Sequence, residues 1–148
     1  MKLSQHFDLD EFTHSQTAER MGREVVPDAE IIANLRRLCN EVLEPARSLL
    51  GLPFVISSGY RPDWLNTAIG GSKTSAHMDG RAADIKVSGM SSPAFAQWLQ
   101  RRNLPTDQII EEGTWVHIGI PKTGSPPRRE YLTATFKDGR ASYTKVES

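Results

Sequence analysis

Apolar residues recur every three or four positions between Asp28 and Gly51. This spacing places them on one side of an α-helix. Asp28 suits the position that caps the start of a helix, and Gly51 suits the position that ends one. Pro45 lies inside the stretch and has no backbone N–H, so we expect a kink or a break near Glu44. The pattern therefore predicts a long, interrupted core helix.

The rest of the chain alternates between short helical and extended patterns. Two short helical turns are predicted before Gly22, and further helices over residues 63–69 and 91–102. Apolar or alternating segments predict strands at residues 52–58, 81–87, 107–112, 115–120, 132–136 and 141–146. Helices followed by a sheet with one inserted helix are typical of an α+β fold. We predict a single domain over residues 1–148, with a small antiparallel sheet packed against helices.

The composition argues against several classes of protein. The 148 residues contain 18 Lys and Arg against 18 Asp and Glu, so no basic excess is available to bind nucleic acid. No apolar run approaches the roughly 18 residues of a membrane span, and the first residues lack the pattern of a secretory signal. The single cysteine, Cys39, lies on the apolar side of the long helix and excludes an internal disulfide framework. We expect synthesis in the cytoplasm without a signal peptide, and no membrane insertion.

Two histidines and an aspartate lie where strand and loop patterns are strongest. His77 precedes a predicted strand in which Asp84 lies opposite the apolar side, and His117 lies opposite the apolar side of another strand. Two imidazoles and one carboxylate suit a catalytic Zn²⁺ site with an open fourth position. Spacing alone also allows Asp84 to act as a cap or as an ion-pair partner of Arg81 or Lys86, and His117 to be a solvated sheet residue.

Three ordered motifs carry a resemblance to a known family. Residues 56–61 (ISSGYR), 75–84 (SAHMDGRAAD) and 115–117 (WVH) resemble the zinc D-alanyl-D-alanine carboxypeptidase family. That family includes bacterial D,D-carboxypeptidases and dipeptidases and phage peptidoglycan endolysins, and it shares its fold with the Hedgehog signalling domain. The likeness begins at about Leu3. It implies a Hedgehog/DD-peptidase-like fold.

The resemblance assigns the metal ligands and a general base. His77, Asp84 and His117 would hold Zn²⁺, which would activate a water molecule and polarise the scissile carbonyl. The family places a glutamate shortly before the last histidine, and both Glu111 and Glu112 are available here. Strand alternation puts these two on opposite faces, and we prefer Glu112 as the group that moves the proton. We expect Glu111 to be an exposed strand residue.

The same resemblance suggests residues that contact substrate. Arg61 corresponds to an arginine associated with the substrate carboxylate or with the oxyanion, and a guanidinium suits both roles. The alternative for Arg61 is a surface residue in a turn. Ser75, Tyr60 and Trp115 are expected to line the cleft. Ser75 is not expected to be a nucleophile, because its nearest histidine is already assigned to the metal.

Together these features predict a zinc-dependent peptidase that cuts a peptidoglycan stem-peptide bond next to a D-amino acid. Its action would be of the D,D-carboxypeptidase or the L-alanyl-D-glutamate endopeptidase type. We expect a monomer of phage or prophage origin that acts on the cell wall after release from the cytoplasm. A holin or virion context is not visible in the sequence. The alternative is a non-catalytic wall-binding or phage structural module with the same fold.

Overall fold

The computed structural model describes residues 1–146. The helical elements, in chain order, are α1 (Leu9–Thr13), α2 (Gln16–Arg20), α3 (Ala29–Leu38), a π-helical segment (Cys39–Leu43), α4 (Glu44–Leu50), α5 (Asp63–Ala68), a 3₁₀ turn (Ala76–Asp79) and α6 (Ser92–Gln100). The strands are β1 (Phe54–Ser58), β2 (Ala82–Val87), β3 (Gln108–Glu111), β4 (Val116–Gly119), β5 (Glu130–Lys137) and β6 (Arg140–Lys145). Among the described helices, none combines the length and apolarity needed to cross a membrane. The predicted α+β class is confirmed.

The long helix begins and ends as its sequence predicts. The Asp28 side chain accepts a hydrogen bond from the backbone N–H of Ile31 at 2.9 Å. Gly51 ends the helix in the left-handed region, with φ of 75°. The interruption is also confirmed, because a π-helical segment precedes α4, which starts at Glu44. Pro45 has no N–H to donate to a carbonyl four residues earlier, so regular α-helical bonding is interrupted in the turn before it.

Cys39 lies at the start of the π-helical segment and is fully buried in the core. Burial raises the pKa of its thiol to about 12. A thiol in this environment remains protonated near neutral pH and is a poor nucleophile. Cys39 is therefore a small core residue, as predicted.

The six strands form one sheet in the order β1-β2-β4-β3-β5-β6. All neighbouring pairs are antiparallel except β3 and β5, which are parallel. The prediction of an antiparallel sheet is therefore wrong for this one pair. Residues 120–129 carry the chain from the end of β4 past the start of β3, so β5 begins beside β3 and runs in the same direction.

The two faces of the sheet have different environments. One face packs against the helices, and Ile85, Ile109 and Ile118 are almost fully buried there. Phe54 and Phe95 join sheet and helix through an edge contact, with ring centroids 5.2 Å apart. Because side chains alternate along a strand, the residues next to these isoleucines point to the opposite face. That opposite face holds the candidate site.

The first residues of the chain are fixed to the long helix. Leu3, Phe7 and Phe12 are buried in the core. Both the backbone N–H and the ring Nδ1 of His6 lie 2.7 Å from the carboxylate oxygens of Glu44. Partial burial opposes ionisation of Glu44, but the hydrogen bonds from His6 outweigh it and lower the pKa of the carboxyl below its ordinary value.

We expect the Glu44→Ala substitution to lower the free energy of unfolding by about 1–3 kcal/mol at pH 7, since two charge-assisted hydrogen bonds are lost. A lowered pKa means that this contribution is complete above the ordinary carboxyl range and is lost as the pH falls through the folded-state value. Urea unfolding in chelator at pH 7 and at decreasing pH measures it. The matched control is Glu41→Ala, whose exposed pairing with Arg37 contributes about 0.5 kcal/mol or less. Equal losses in the two variants would contradict the prediction.

Candidate metal centre and substrate cleft

Strand pairing and one tight turn bring the three predicted ligands together. Asp84 on β2 lies directly opposite His117 on β4 in the antiparallel register. His77 lies in the 3₁₀ turn just before β2, and the Ser75 hydroxyl caps that turn by accepting from the His77 N–H at 3.2 Å. Gly80 ends the turn with φ of 72°, a conformation that favours glycine. The turn thus folds His77 back over the strand pair.

The three ligand atoms form a nearly regular triangle. His77 Nε2 lies 3.2 Å from Asp84 Oδ1 and 3.2 Å from His117 Nδ1, and the remaining distance, His117 Nδ1 to Asp84 Oδ1, is 3.3 Å. Ligands that surround zinc tetrahedrally at about 2.0–2.1 Å lie roughly 3.3–3.4 Å from one another. Both the donor types and the spacing therefore fit three ligands of one Zn²⁺.

The protein fixes which nitrogen of His77 faces this triangle. His77 Nδ1 lies 2.7 Å from the carbonyl oxygen of Gly59. A carbonyl only accepts, so Nδ1 carries the hydrogen and Nε2 presents its lone pair to the triangle. The backbone N–H of Arg61 donates to the His77 carbonyl at 3.0 Å, which ties the two segments together. On its other side Gly59 packs against Phe12. A Cβ at Gly59 would lie only 2.6 Å from backbone atoms of Phe12, so only glycine allows these two segments to lie so close.

The three ligand residues are buried, and the surroundings of Asp84 favour its ionised form. His77 is 2% exposed, and Asp84 and His117 are each 8% exposed. Burial by itself would raise the pKa of Asp84, but the neighbouring His77 and His117 imidazoles hold it well below the ordinary aspartate value. Arg81 pairs with Asp79 at 2.8 Å instead of with Asp84. The structure therefore does not agree with the alternatives, in which Asp84 acts as a cap and His117 is a solvated sheet residue.

The triangle opens onto a cleft of about 550 Å³, a size typical of small-molecule and peptide sites. Glu112, Trp115, Arg61 and Ser75 line the same cleft. Trp115 Nε1 donates to Glu112 Oε2 at 3.1 Å. Burial and the negative charge of Asp84 raise the pKa of Glu112 above its ordinary value, against the opposing effects of His117, Trp115 and Arg61.

The two adjacent glutamates have different surroundings. Glu111 does not line the cleft, and its carboxylate accepts a hydrogen bond from the backbone N–H of Gly113 at 2.8 Å. Our expectation that Glu111 is exposed is wrong, because this turn at the end of β3 leaves the residue only 9% exposed. Glu112 therefore supplies the carboxylate on the cleft side.

Arg61 presents a guanidinium with unused donors to the cleft. Its Nη2 donates to the Ser75 hydroxyl at 3.3 Å, and its buried Nε has no hydrogen-bond partner among the described residues. Within the described part of the chain it forms no ion pair at 4.0 Å or less. Burial lowers its pKa, and the charges of Asp84 and Glu112 oppose that effect. Such a cation is suited to binding an anionic group.

Tyr60 is the predicted site residue that lies apart from the others. It lines a neighbouring depression together with His14 and Arg20, and its ring packs against the core. Because Arg61 points into the cleft, the preceding side chain in this extended segment points elsewhere. The cleft includes residues that were not predicted, among them Leu132 and Tyr143 on the last two strands. Strand alternation was their only signal in the sequence.

A buried His–Asp–His group beside an acidic residue in an α+β fold is the arrangement of a metal-dependent hydrolase. Residues 5–119 match the model of the family described as Peptidase M15, and the chain belongs to that family. Membership makes the protein a metallopeptidase, and zinc peptidases that act on peptidoglycan are its general class. No curated protein gives a significant match to the chain.

We expect the full chain to bind about one Zn²⁺ and His117→Ala to bind it at least about 100-fold more weakly, since one of three buried ligands is lost. Isothermal titration with zinc measures the affinity, and the rise in Tm on zinc addition checks it independently. His14→Ala is the matched control, because His14 is exposed and pairs with Glu19. A wild-type protein that binds no stoichiometric zinc, or a control that loses as much affinity, would contradict this assignment.

Proposed function

We propose that this protein is a zinc-dependent peptidase that hydrolyses a peptidoglycan stem-peptide bond next to a D-amino acid. The bond is either the terminal D-alanyl-D-alanine bond or the L-alanyl-D-glutamate bond. The observation that carries the proposal is the buried triangle of His77, Asp84 and His117, which opens onto a cleft that also holds Glu112 and Arg61. Family membership supports the same class of reaction.

The chemistry of the donor set supports zinc as the cofactor. His77, Asp84 and His117 would hold it, with one protein carboxylate and two imidazoles as ligands. When bound, Zn²⁺ supplies Lewis acidity, which polarises the scissile carbonyl and makes water acidic enough to attack near neutral pH. The hydrogen bond from His77 Nδ1 to Gly59 keeps this ligand in the required tautomer throughout.

Glu112 is suited to move the proton. A general base works best when its pKa lies near the working pH, and the raised pKa of Glu112 shifts it in that direction. In the proposed reaction Glu112 accepts a proton from the attacking water and returns it to the leaving amine. Trp115 holds the carboxylate at Oε2 and leaves Oε1 available for this transfer.

Arg61 is suited to bind substrate. Its guanidinium lines the cleft together with the Ser75 hydroxyl to which it donates. A stem peptide carries free carboxylates, and an arginine without a carboxylate partner offers parallel donors to such a group. Ser75 orders both the Arg61 side chain and the turn that carries His77.

The biological setting belongs to the same proposal. The substrate is the wall polymer, so the enzyme would act outside the cytoplasm, as an endolysin-like or virion-associated phage or prophage product. We propose that it acts as a monomer on stem peptides, with no nucleic-acid partner. The balanced charge of the chain agrees with this partner class.

Digestion of purified peptidoglycan and of defined stem peptides by the zinc-loaded protein, read by mass spectrometry, tests the proposal. Loss of terminal D-Ala identifies a D,D-carboxypeptidase, and a cut after L-Ala identifies an endopeptidase. Chelation is expected to abolish either activity, and added zinc to restore it. Folded, zinc-occupied protein that cleaves no wall chemotype would overturn the peptidase proposal and favour a non-catalytic wall-binding or structural module.

The two glutamates provide a matched pair for the general base. We expect Glu112→Gln to lower kcat by about 10²–10⁴-fold while zinc affinity is retained, because the amide cannot accept the proton. Glu111→Gln keeps an oxygen that can accept from Gly113 and is expected to retain most activity. Steady-state kinetics on the cleaved stem peptide compares them. A larger loss in Glu111→Gln would assign the base to Glu111 instead.

The pH profile is expected to report the environment of Glu112. The ionised base is the active form, so activity falls as the pH decreases through its pKa, which lies above the ordinary glutamate value. The Trp115 N–H stabilises the ionised form, so Trp115→Phe should shift this acidic limb to higher pH. A profile of kcat/KM against pH measures the shift. If the acidic limb stays at the same pH or moves to lower pH in Trp115→Phe, Glu112 does not control the acidic limb.

A further inference from the structure

The hairpin formed by β5 and β6 has one apolar face and one hydroxyl-rich face. Tyr143 pairs with Ala134, and Phe136 pairs with Ala141, in the antiparallel register. Paired residues share a face, as do residues two apart along a strand. One face therefore carries two aromatic rings and two alanines. The other carries the hydroxyl side chains of Thr133, Thr135, Ser142 and Thr144.

The aromatic rings on this face are open to solvent. Phe136 is 55% exposed and Tyr143 is 56% exposed, and no other aromatic side chain of residues 1–146 is among the exposed large hydrophobic residues. The two rings are diagonal neighbours across the strand pair, and the alanines occupy the other two corners. Ala141 beside Phe136 is exposed, whereas Ala134 beside Tyr143 is buried. We call the exposed surface of Phe136, Ala141 and Tyr143 the aromatic platform.

The aromatic platform continues the cleft of the metal centre. Tyr143 lines that cleft, and so does Leu132, which lies on the same face of β5. In the sheet, His117 lies beside Ile110, and Ile110 lies beside Leu132. Two strand spacings of about 4.8 Å each separate His117 from Leu132, and β6 lies one spacing further. Leu132 therefore lies about 10 Å from His117, and the platform lies beyond Leu132, on the side of the sheet opposite β1 and Arg61.

We propose that the aromatic platform binds a sugar ring of the glycan strand to which the stem peptide is attached. A pyranose ring has an apolar face of C–H groups, and that face stacks on the electron-rich face of an aromatic ring. A substrate held at the metal centre extends along the cleft, and its glycan end would reach this surface. The inference rests on the proposed function, because it concerns the same substrate.

The position and chemistry of the hairpin favour a sugar over a second protein chain. Exposed apolar surface on a monomer commonly marks a binding site, and this surface is continuous with the candidate active-site cleft through Tyr143, which lines both. Lys145 follows on the same face, opposite Leu132, and provides a donor for sugar hydroxyl or acetamido oxygens. The hairpin lies beyond the residues 5–119 that match the family model, so it is a feature of this chain outside the matched region.

The test compares one stem peptide in two forms, attached to its disaccharide and freed from it. The measured quantity, for the zinc-loaded full chain, is the kcat/KM for the attached peptide divided by the kcat/KM for the freed peptide. We expect Tyr143→Ala and Phe136→Ala each to lower this ratio about 5- to 10-fold, mainly through KM, because one stacking contact is lost. Tyr143→Phe keeps the ring and should retain most of the ratio. Thr144→Ala is the matched control, since this residue neighbours Tyr143 on the other face of β6.

Two results would overturn the inference. One is a ratio that stays unchanged in Tyr143→Ala and Phe136→Ala, and the other is an altered sedimentation mass in these variants, which would make the platform an interface between copies. If the wild type cleaves neither form, the peptidase proposal fails by itself. Binding of a tetramer of N-acetylglucosamine, followed by NMR, then tests the platform separately. Shifts of the Phe136 and Tyr143 ring signals support it, and their absence overturns it.

Discussion

The antiparallel pairing of β2 with β4 is the constraint on which the site depends. It places Asp84 and His117 side by side on one face of the sheet, while their neighbours Ile85 and Ile118 enter the core on the other. A shift of one residue in this register would put Asp84 and His117 on opposite faces of the sheet. The hydrophobic pattern that stabilises the fold therefore also fixes the metal centre. Only His77 must be brought in from outside the strand pair.

Two carboxyl groups in one cleft have pKa values that are shifted in opposite directions. Two imidazoles compensate the burial of Asp84 and keep its pKa low, whereas the negative charge of Asp84 adds to the effect of burial on Glu112, whose pKa is raised. A pair of acids whose environments separate their pKa values is the usual basis for distinct roles. Here one suits a permanent ligand and the other suits a proton carrier. Arg61 adds a half-buried cation that forms no ion pair with the described residues.

Local patterns predicted much of this molecule. The ends of the long helix, its break at Pro45 and all six strands follow from spacing, capping residues and alternation, and the structure confirms them. Alternation also placed Asp84 and His117 on the cleft side and put Glu111 and Glu112 on opposite faces, and the family resemblance favoured Glu112. These are short-range properties, since each depends on residues within a few positions. The resemblance of three motifs then suggested which polar residues meet.

By itself, then, the sequence determined the elements, the faces of the strands and the ligand types. Only the tertiary structure decided the parallel pairing of β3 with β5, the burial of Glu111 and the position of Tyr60 outside the cleft. It also decided that the last hairpin adds Tyr143 to the cleft wall. Strand order and loop paths depend on contacts between distant segments, and a local period does not encode which strand lies beside which.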